Sequence, residues 1–176
     1  IRRNVGPLLL AVNIAPYQLR DGRFVLDALD AMAAAEHRPE DLMLEITESA
    51  SLKDAVDLEP DLEALRSTGV KIALDDFGTG SSNLSLLKQI EVDAIKLDRS
   101  FVAGVVDDEV DQQLVTWLID LAHALELTVI GEGVETDAQR DSLRDRQCDE
   151  LQGHLFSPAV PAEQFTPELV RRISLS

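Results

Sequence analysis

The chain has 176 residues, 45% of them hydrophobic, which is enough for one domain with a proper core. Its formal net charge of −17 argues against a nucleic-acid polyanion held on a basic face, and against docking on an anionic membrane. The apolar runs are far shorter than the ~18 residues that span a bilayer, no signal peptide is visible, and the single Cys148 excludes an internal disulfide and suits a reducing, cytoplasmic setting. The first residue is Ile1 rather than methionine, so the chain is expected to be a piece of something longer.

In chain order, short β-rich apolar runs alternate with amphipathic stretches of helical length. Strands are expected at Leu8–Ile14, Leu42–Thr47, Val70–Asp75, Ala94–Asp98, Thr128–Gly131 and Leu151–Phe156. Helices are expected at Arg23–Ala35, Leu58–Ser67, Asp108–Leu125 and Thr136–Arg146, with a short turn at Asn83–Lys88 and a last stretch at Ala162–Ile173, bent or broken at Pro167. Gly69 suits a left-handed helix stop. Thr136 with Gln139 has capping-box spacing, and Pro161 suits a first helical turn. Such alternation implies a parallel sheet covered by helices, in one α/β domain over residues 1–176. No glycine-rich phosphate fingerprint follows the first strand, which disfavours a dinucleotide-binding sheet. A closed (β/α) barrel has eight strands, so with six counted here two would be missing from this chain.

Polar residues recur where each strand should end: Asn13, Glu45, Asp75 with Asp76, Lys96, Glu132 and Gln152. In a barrel those ends converge on one pocket. Carboxylates with an amide oxygen suit a hard cation such as Mg²⁺ or Mn²⁺. Zinc fits poorly, because His37, His123 and His154 lack ligand spacing and Cys148 stands alone. Adjacent aspartates point to opposite faces of a regular strand. Asp75 and Asp76 can share a site only where the chain leaves the strand, which the following Phe77-Gly78-Thr79-Gly80 permits. Two acids so placed match the needs of a two-metal hydrolase acting on a phosphodiester. In the Glu-x-x-Glu pairs, Glu45 and Glu132 belong at strand ends, while Glu48 and Glu135 belong on the loops beyond and steady them. Lys96, inside a buried strand, needs acidic partners.

These segments, in this order, resemble the EAL family of cyclic di-GMP phosphodiesterases. The matching stretches are Val12-Asn13 with Gln18-Leu19, Glu45-Ile46-Thr47-Glu48, Asp75 through Gly80, Lys96 through Val102, Glu132 through Thr136, and Gln152-Gly153. The resemblance implies a modified TIM barrel with its N-terminal strand pair missing here, and metal-dependent hydrolysis of cyclic di-GMP to linear pGpG with two Mg²⁺ or Mn²⁺ ions. It implies Asn13, Glu45, Asp75, Asp76 and Glu132 as metal ligands and Lys96 and Gln152 as holders of catalytic water, with Glu132 a candidate base. It implies Glu48 as the acid steadying the loop after Asp76. A homodimer, an upstream diguanylate cyclase-like or sensor domain, and a parent protein anchored through upstream segments are further expectations. The Glu-Ala-Leu segment that names the family, with its Glu ligand and a substrate-gripping Arg, would lie before Ile1. Ser81, His154 and Pro158 stand where the family often has Tyr, Tyr and Arg. The competing readings are a non-catalytic cyclic di-GMP sensor and, less consistent with the paired aspartates, an enolase-type lyase.

Overall fold

The computed structural model describes residues 8–15, 18, 23–47, 52–79, 87–166 and 169; of residues 52–58 and 162 it describes the backbone alone. Among the described residues, six strands are hydrogen-bonded in chain order: β1 (Leu10–Ile14), β2 (Leu42–Thr47), β3 (Lys71–Phe77), β4 (Ala94–Leu97), β5 (Thr128–Gly131) and β6 (Glu150–Leu151). Every neighbouring pair is parallel, and the sheet curls into a half-barrel. Around it lie α1 (Phe24–Ala34), α2 (Leu52–Ser67), α3 (Arg99–Gly104), α4 (Glu109–Ala124) and α5 (Asp137–Asp145). Among the described residues, no helix is long and apolar enough to cross a membrane.

Alternation along each strand divides the apolar residues between two layers. Leu44 and Ile46 of β2, Ile72 and Leu74 of β3, Ile95 and Leu97 of β4 and Val129 of β5 join Val115, Ile119 and Leu143 of the helices in the main core. Met43, Ala73, Ala94 and Ile130 point the other way and form a small cluster on the concave face. Both faces of the central strands are therefore buried, and their hydrophobic runs are nearly continuous.

Helix ends follow the local chemistry. The Thr136 side chain accepts from Gln139 N–H while the Gln139 side chain accepts from Thr136 N–H, so the capping box is formed. Asp108 accepts from the N–H groups of Val110 and Asp111 to start α4. Gly69 takes φ of 101° after α2. At the N-terminal rim of the sheet two aspartates serve the fold. Asp93 accepts from Ile72 N–H and Asp149 from Val129 N–H, each at 2.8 Å. Partial burial pushes the Asp149 carboxyl up, but the Val129 N–H and His123 outweigh it and hold its pKa below the ordinary value.

Apart from strand ends shifted by one or two residues, as in β1, β3 and β4, several elements differ from expectation. Helix α2 begins at Leu52 rather than Leu58, and carries Pro60 in its interior. Strand β6 is only Glu150–Leu151, because the chain turns at once through the Phe156 N–H to Gly153 carbonyl bond. Ala162–Gln164 is a short 3-10 turn, and most of the residues expected to continue it lie outside the described ones, as does most of Asn83–Lys88. Helix α3 has no counterpart in the hydrophobic pattern: at six residues it is too short to show a period, and it is started by Asp98 accepting from Ser100 N–H at 3.0 Å.

Cys148 is 8% exposed and its thiol lies 3.4 Å from the Glu150 carbonyl oxygen. Burial pushes that thiol up to about 11. At pH 8 it is expected to react with a soluble disulfide at least about tenfold more slowly in native protein than in urea, because the thiolate is the reacting species. Equal rates in the two solvents would contradict the buried placement.

Candidate metal centre

The concave face carries its polar groups at the C-terminal ends of consecutive strands. On β2 and β4, Glu45 and Lys96 each stand two residues beyond a member of the small apolar cluster, Met43 and Ala94. Asp75 stands two beyond Ala73, and Glu132 two beyond Ile130. A period of two therefore places all four on one face, above an apolar floor. Lys96 is 3% exposed. Its Nζ lies 2.8 Å from Glu45 Oε1, 3.1 Å from Asp75 Oδ1 and 2.6 Å from Glu132 Oε1.

Asp76 reaches the same place by a local irregularity. The β3–β4 register steps from Leu74↔Ile95 to Phe77↔Leu97, so β3 holds one extra residue there. Asp76 takes φ of 57°, in the left-handed region that costs a non-glycine residue energy. Its N–H donates to Asp75 Oδ1 at 3.0 Å. The expectation that the chain must depart from regular strand geometry here is met by a bulge inside β3, which runs on to Phe77, and not by the strand ending at Asp75. One carboxylate oxygen from each of Asp75, Asp76 and Glu132 lies within 4.8 Å of the others.

Among the described residues the charge in this cleft is unbalanced: Glu45, Asp75, Asp76 and Glu132 share one ammonium group, that of Lys96. The effect is visible on Lys96, Glu132 and Asp76. Burial disfavours the Lys96 ammonium, but hydrogen bonds to Glu132 and Glu45 and the nearby Glu132 and Asp75 charges outweigh it and raise its pKa. Burial raises the Glu132 carboxyl, against the opposing Lys96 hydrogen bond and charge and with help from Asp75 and Glu45. Burial and the Asp75 and Asp98 charges likewise raise Asp76. Carboxylates held together with too little positive charge are a suitable donor set for a hard divalent cation.

The remaining sequence candidates lie around this cluster. Asn13 sits on β1 directly beside Glu45 in register and is exposed. Gln152 is exposed just beyond β6; its N–H donates to Gly131 carbonyl and its own carbonyl accepts from Val134 N–H, tying the two strand ends together. Glu135 is exposed, and its N–H donates to Gln139 Oε1 at the start of α5. Glu48 lies outside the described residues. Reading residues by strand end passed over α3, whose Arg99 and Phe101 lie against Gly133 and Gly78 beside the cluster and whose sequence signal was the Asp98-x-Ser100 cap.

Residues 1–159 match the model of the EAL domain family. Among curated relatives, the bifunctional diguanylate cyclase/cyclic di-GMP phosphodiesterase MucR of Pseudomonas aeruginosa is 37% identical over 156 residues, covering 89% of this chain and 23% of that protein. The EAL domain of Mycobacterium smegmatis DcpA superposes with a TM-score of 0.89 at 36% identity, covering 97% of this chain and 75% of that one. Klebsiella pneumoniae BlrP1, solved as a manganese and cyclic di-GMP complex, superposes with a TM-score of 0.81 at 34% identity, covering 87% of this chain and 39% of that one. The chain spans about a fifth of the length of the curated relatives it matches.

Proposed function

The chain belongs to the EAL domain family, and from that premise we propose that residues 1–176 are the larger part of a phosphodiesterase domain that hydrolyses cyclic di-GMP to linear pGpG. The observation that carries this reading is the cluster itself: four carboxylates and a buried lysine converge at the strand ends of a chain whose relatives include cyclic di-GMP phosphodiesterases. Asn13, Glu45, Asp75, Asp76 and Glu132 would hold two Mg²⁺ or Mn²⁺ ions. When bound, the cations would supply charge neutralisation at the phosphate and lower the cost of ionising the attacking water.

The protein groups have separate tasks. Lys96 holds Glu45, Asp75 and Glu132 in fixed orientation through three short contacts. Glu132, whose pKa is raised by burial, is suited to accept the proton of the attacking water. Lys96 and Gln152 would position that water. Its oxygen bonds to phosphorus, the bond from phosphorus to the ribose 3′ oxygen breaks, and the leaving oxygen takes a proton. Glu48 and Glu135 would steady the loops beyond Glu45 and Glu132. The parent protein would work in the cytoplasm as a homodimer, with a cyclase-like or sensor domain upstream.

Incubating the intact protein with cyclic di-GMP and Mn²⁺ is expected to produce pGpG, resolved by chromatography, and EDTA is expected to stop it. Tight binding of cyclic di-GMP in the presence of Mn²⁺ without any pGpG would favour the sensor reading and overturn the enzyme reading.

A further inference from the structure

Two of the carboxylates in the cluster, Asp76 and Glu132, are followed within two residues by glycines that rest on the same helix. Gly78 comes two residues after Asp76 and has φ of 102°; a Cβ there would lie 2.7 Å from Phe101 Cε2. Gly133 directly follows Glu132 and has φ of 69°; a Cβ there would lie 2.6 Å from Arg99 Cβ. Arg99 and Phe101 both belong to α3, two residues apart. Only residues without a side chain permit such approaches, so the chain on either side of the cleft is seated on one support.

That support is itself held firmly. Val102 and the capping Val105 are fully buried. A Cβ on Gly104 would lie 1.8 Å from Asp111 Oδ2, so the first turn of α4 is packed against the end of α3. The Val105 carbonyl accepts from Ser142 Oγ at 3.1 Å, which ties α3 to α5 as well. The Glu132 N–H donates to the Leu97 carbonyl, two residues before α3 begins.

We infer that α3 is a brace that sets the spacing between Asp76 and Glu132, and that Phe101 is a positioning residue for the cation site through its contact with Gly78. Phe101 touches no reacting atom. It acts by limiting where the bulge can carry Asp76, as Arg99 limits where Gly133 can carry Glu132. This inference rests on the metal-site reading above.

The test is Mn²⁺ binding to the intact protein, followed by paramagnetic resonance of the free ion, without substrate. Phe101→Ala is expected to weaken Mn²⁺ binding about tenfold or more, the range seen when a group supporting a ligand is lost. Phe101→Leu, which keeps an apolar contact but not the ring atoms against Gly78, is expected to weaken binding by a smaller, severalfold amount, and if the alanine variant does not fold, unchanged affinity in the leucine variant overturns the inference. Leu65→Ala removes a fully buried side chain of α2 that is not among the nearest neighbours of either glycine. It is expected to lower the melting temperature while leaving Mn²⁺ affinity unchanged. Unchanged Mn²⁺ affinity in Phe101→Ala, or an equal loss in Leu65→Ala, would overturn the inference while leaving the site reading standing. Failure of the unmutated protein to bind Mn²⁺ would overturn both, and is recognisable because it appears before any substitution.

Discussion

Replacing Lys96 by methionine is expected to destabilise the metal-free protein by about 3–5 kcal/mol, the usual cost of leaving a buried charge without its partner. The substitution keeps the length and apolar stem of the side chain, so packing above Ala94 is little changed. What is lost is the ammonium between Glu45, Asp75 and Glu132, all within 3.1 Å of it. Those carboxylates, with Asp76, would then repel one another in a half-buried cleft. Mn²⁺ is expected to restore part of the loss, since a cation that binds only the folded state stabilises it by roughly 2.7 kcal/mol at a hundred times its dissociation constant. Urea unfolding with EDTA and with Mn²⁺ measures both effects as shifts in midpoint at constant slope. A variant as stable as the parent in EDTA would show that Lys96 does not hold the carboxylates together. The Lys96 contribution should be flat across neutral pH. Its folded pKa is raised, so its stabilisation is complete below the unfolded lysine value of about 10.4 and fades only as pH rises through the folded value.

Asp75→Asn is expected to do the reverse: little change in stability and a loss of turnover of at least about a hundredfold. Asparagine keeps an oxygen where Asp75 Oδ1 accepts from Asp76 N–H at 3.0 Å, so the bulge can persist. It also keeps an acceptor for Lys96 Nζ at 3.1 Å. Only the negative charge is removed, and Asp75, like Glu132, both touches the lysine and belongs to the three-carboxylate cluster. Glu132 should then titrate lower, because the Asp75 charge is one of the influences raising it. Pairing pGpG production with urea unfolding separates the two outcomes. Full activity in the variant would remove Asp75 from the proposed site, and a large stability loss would assign it a structural task instead.

Much of this architecture was legible in the residues. β2 and β5 have the expected bounds, and the alternation of apolar runs with amphipathic stretches foretold a parallel sheet. Such strands are buried on both faces, and this gives them their unbroken hydrophobic character. The in-order motifs from Asn13 to Gln152 foretold the family. The misplaced elements have two causes. α3 and β6 have too few residues for a period to register. The interior Pro60 of α2 runs against local preference, since a proline there forgoes an amide hydrogen bond.

By itself, then, the sequence determined which residue types stand near the strand ends, because a period of two and helix-length spacers leave few alternatives. It did not say what the acids that precede strands do: Asp93 and Asp149 hold strand N–H groups at the opposite rim. Nor could it say how two adjacent aspartates share one cleft. Register decided both: the extra residue in β3 turns Asp76 toward Asp75 and Glu132, and parallel pairing brings β2, β4 and the end of β5 together around Lys96. Those partners are separated by many residues in the chain, and their electrostatic balance exists only once the sheet has curled and excluded most of the water between them.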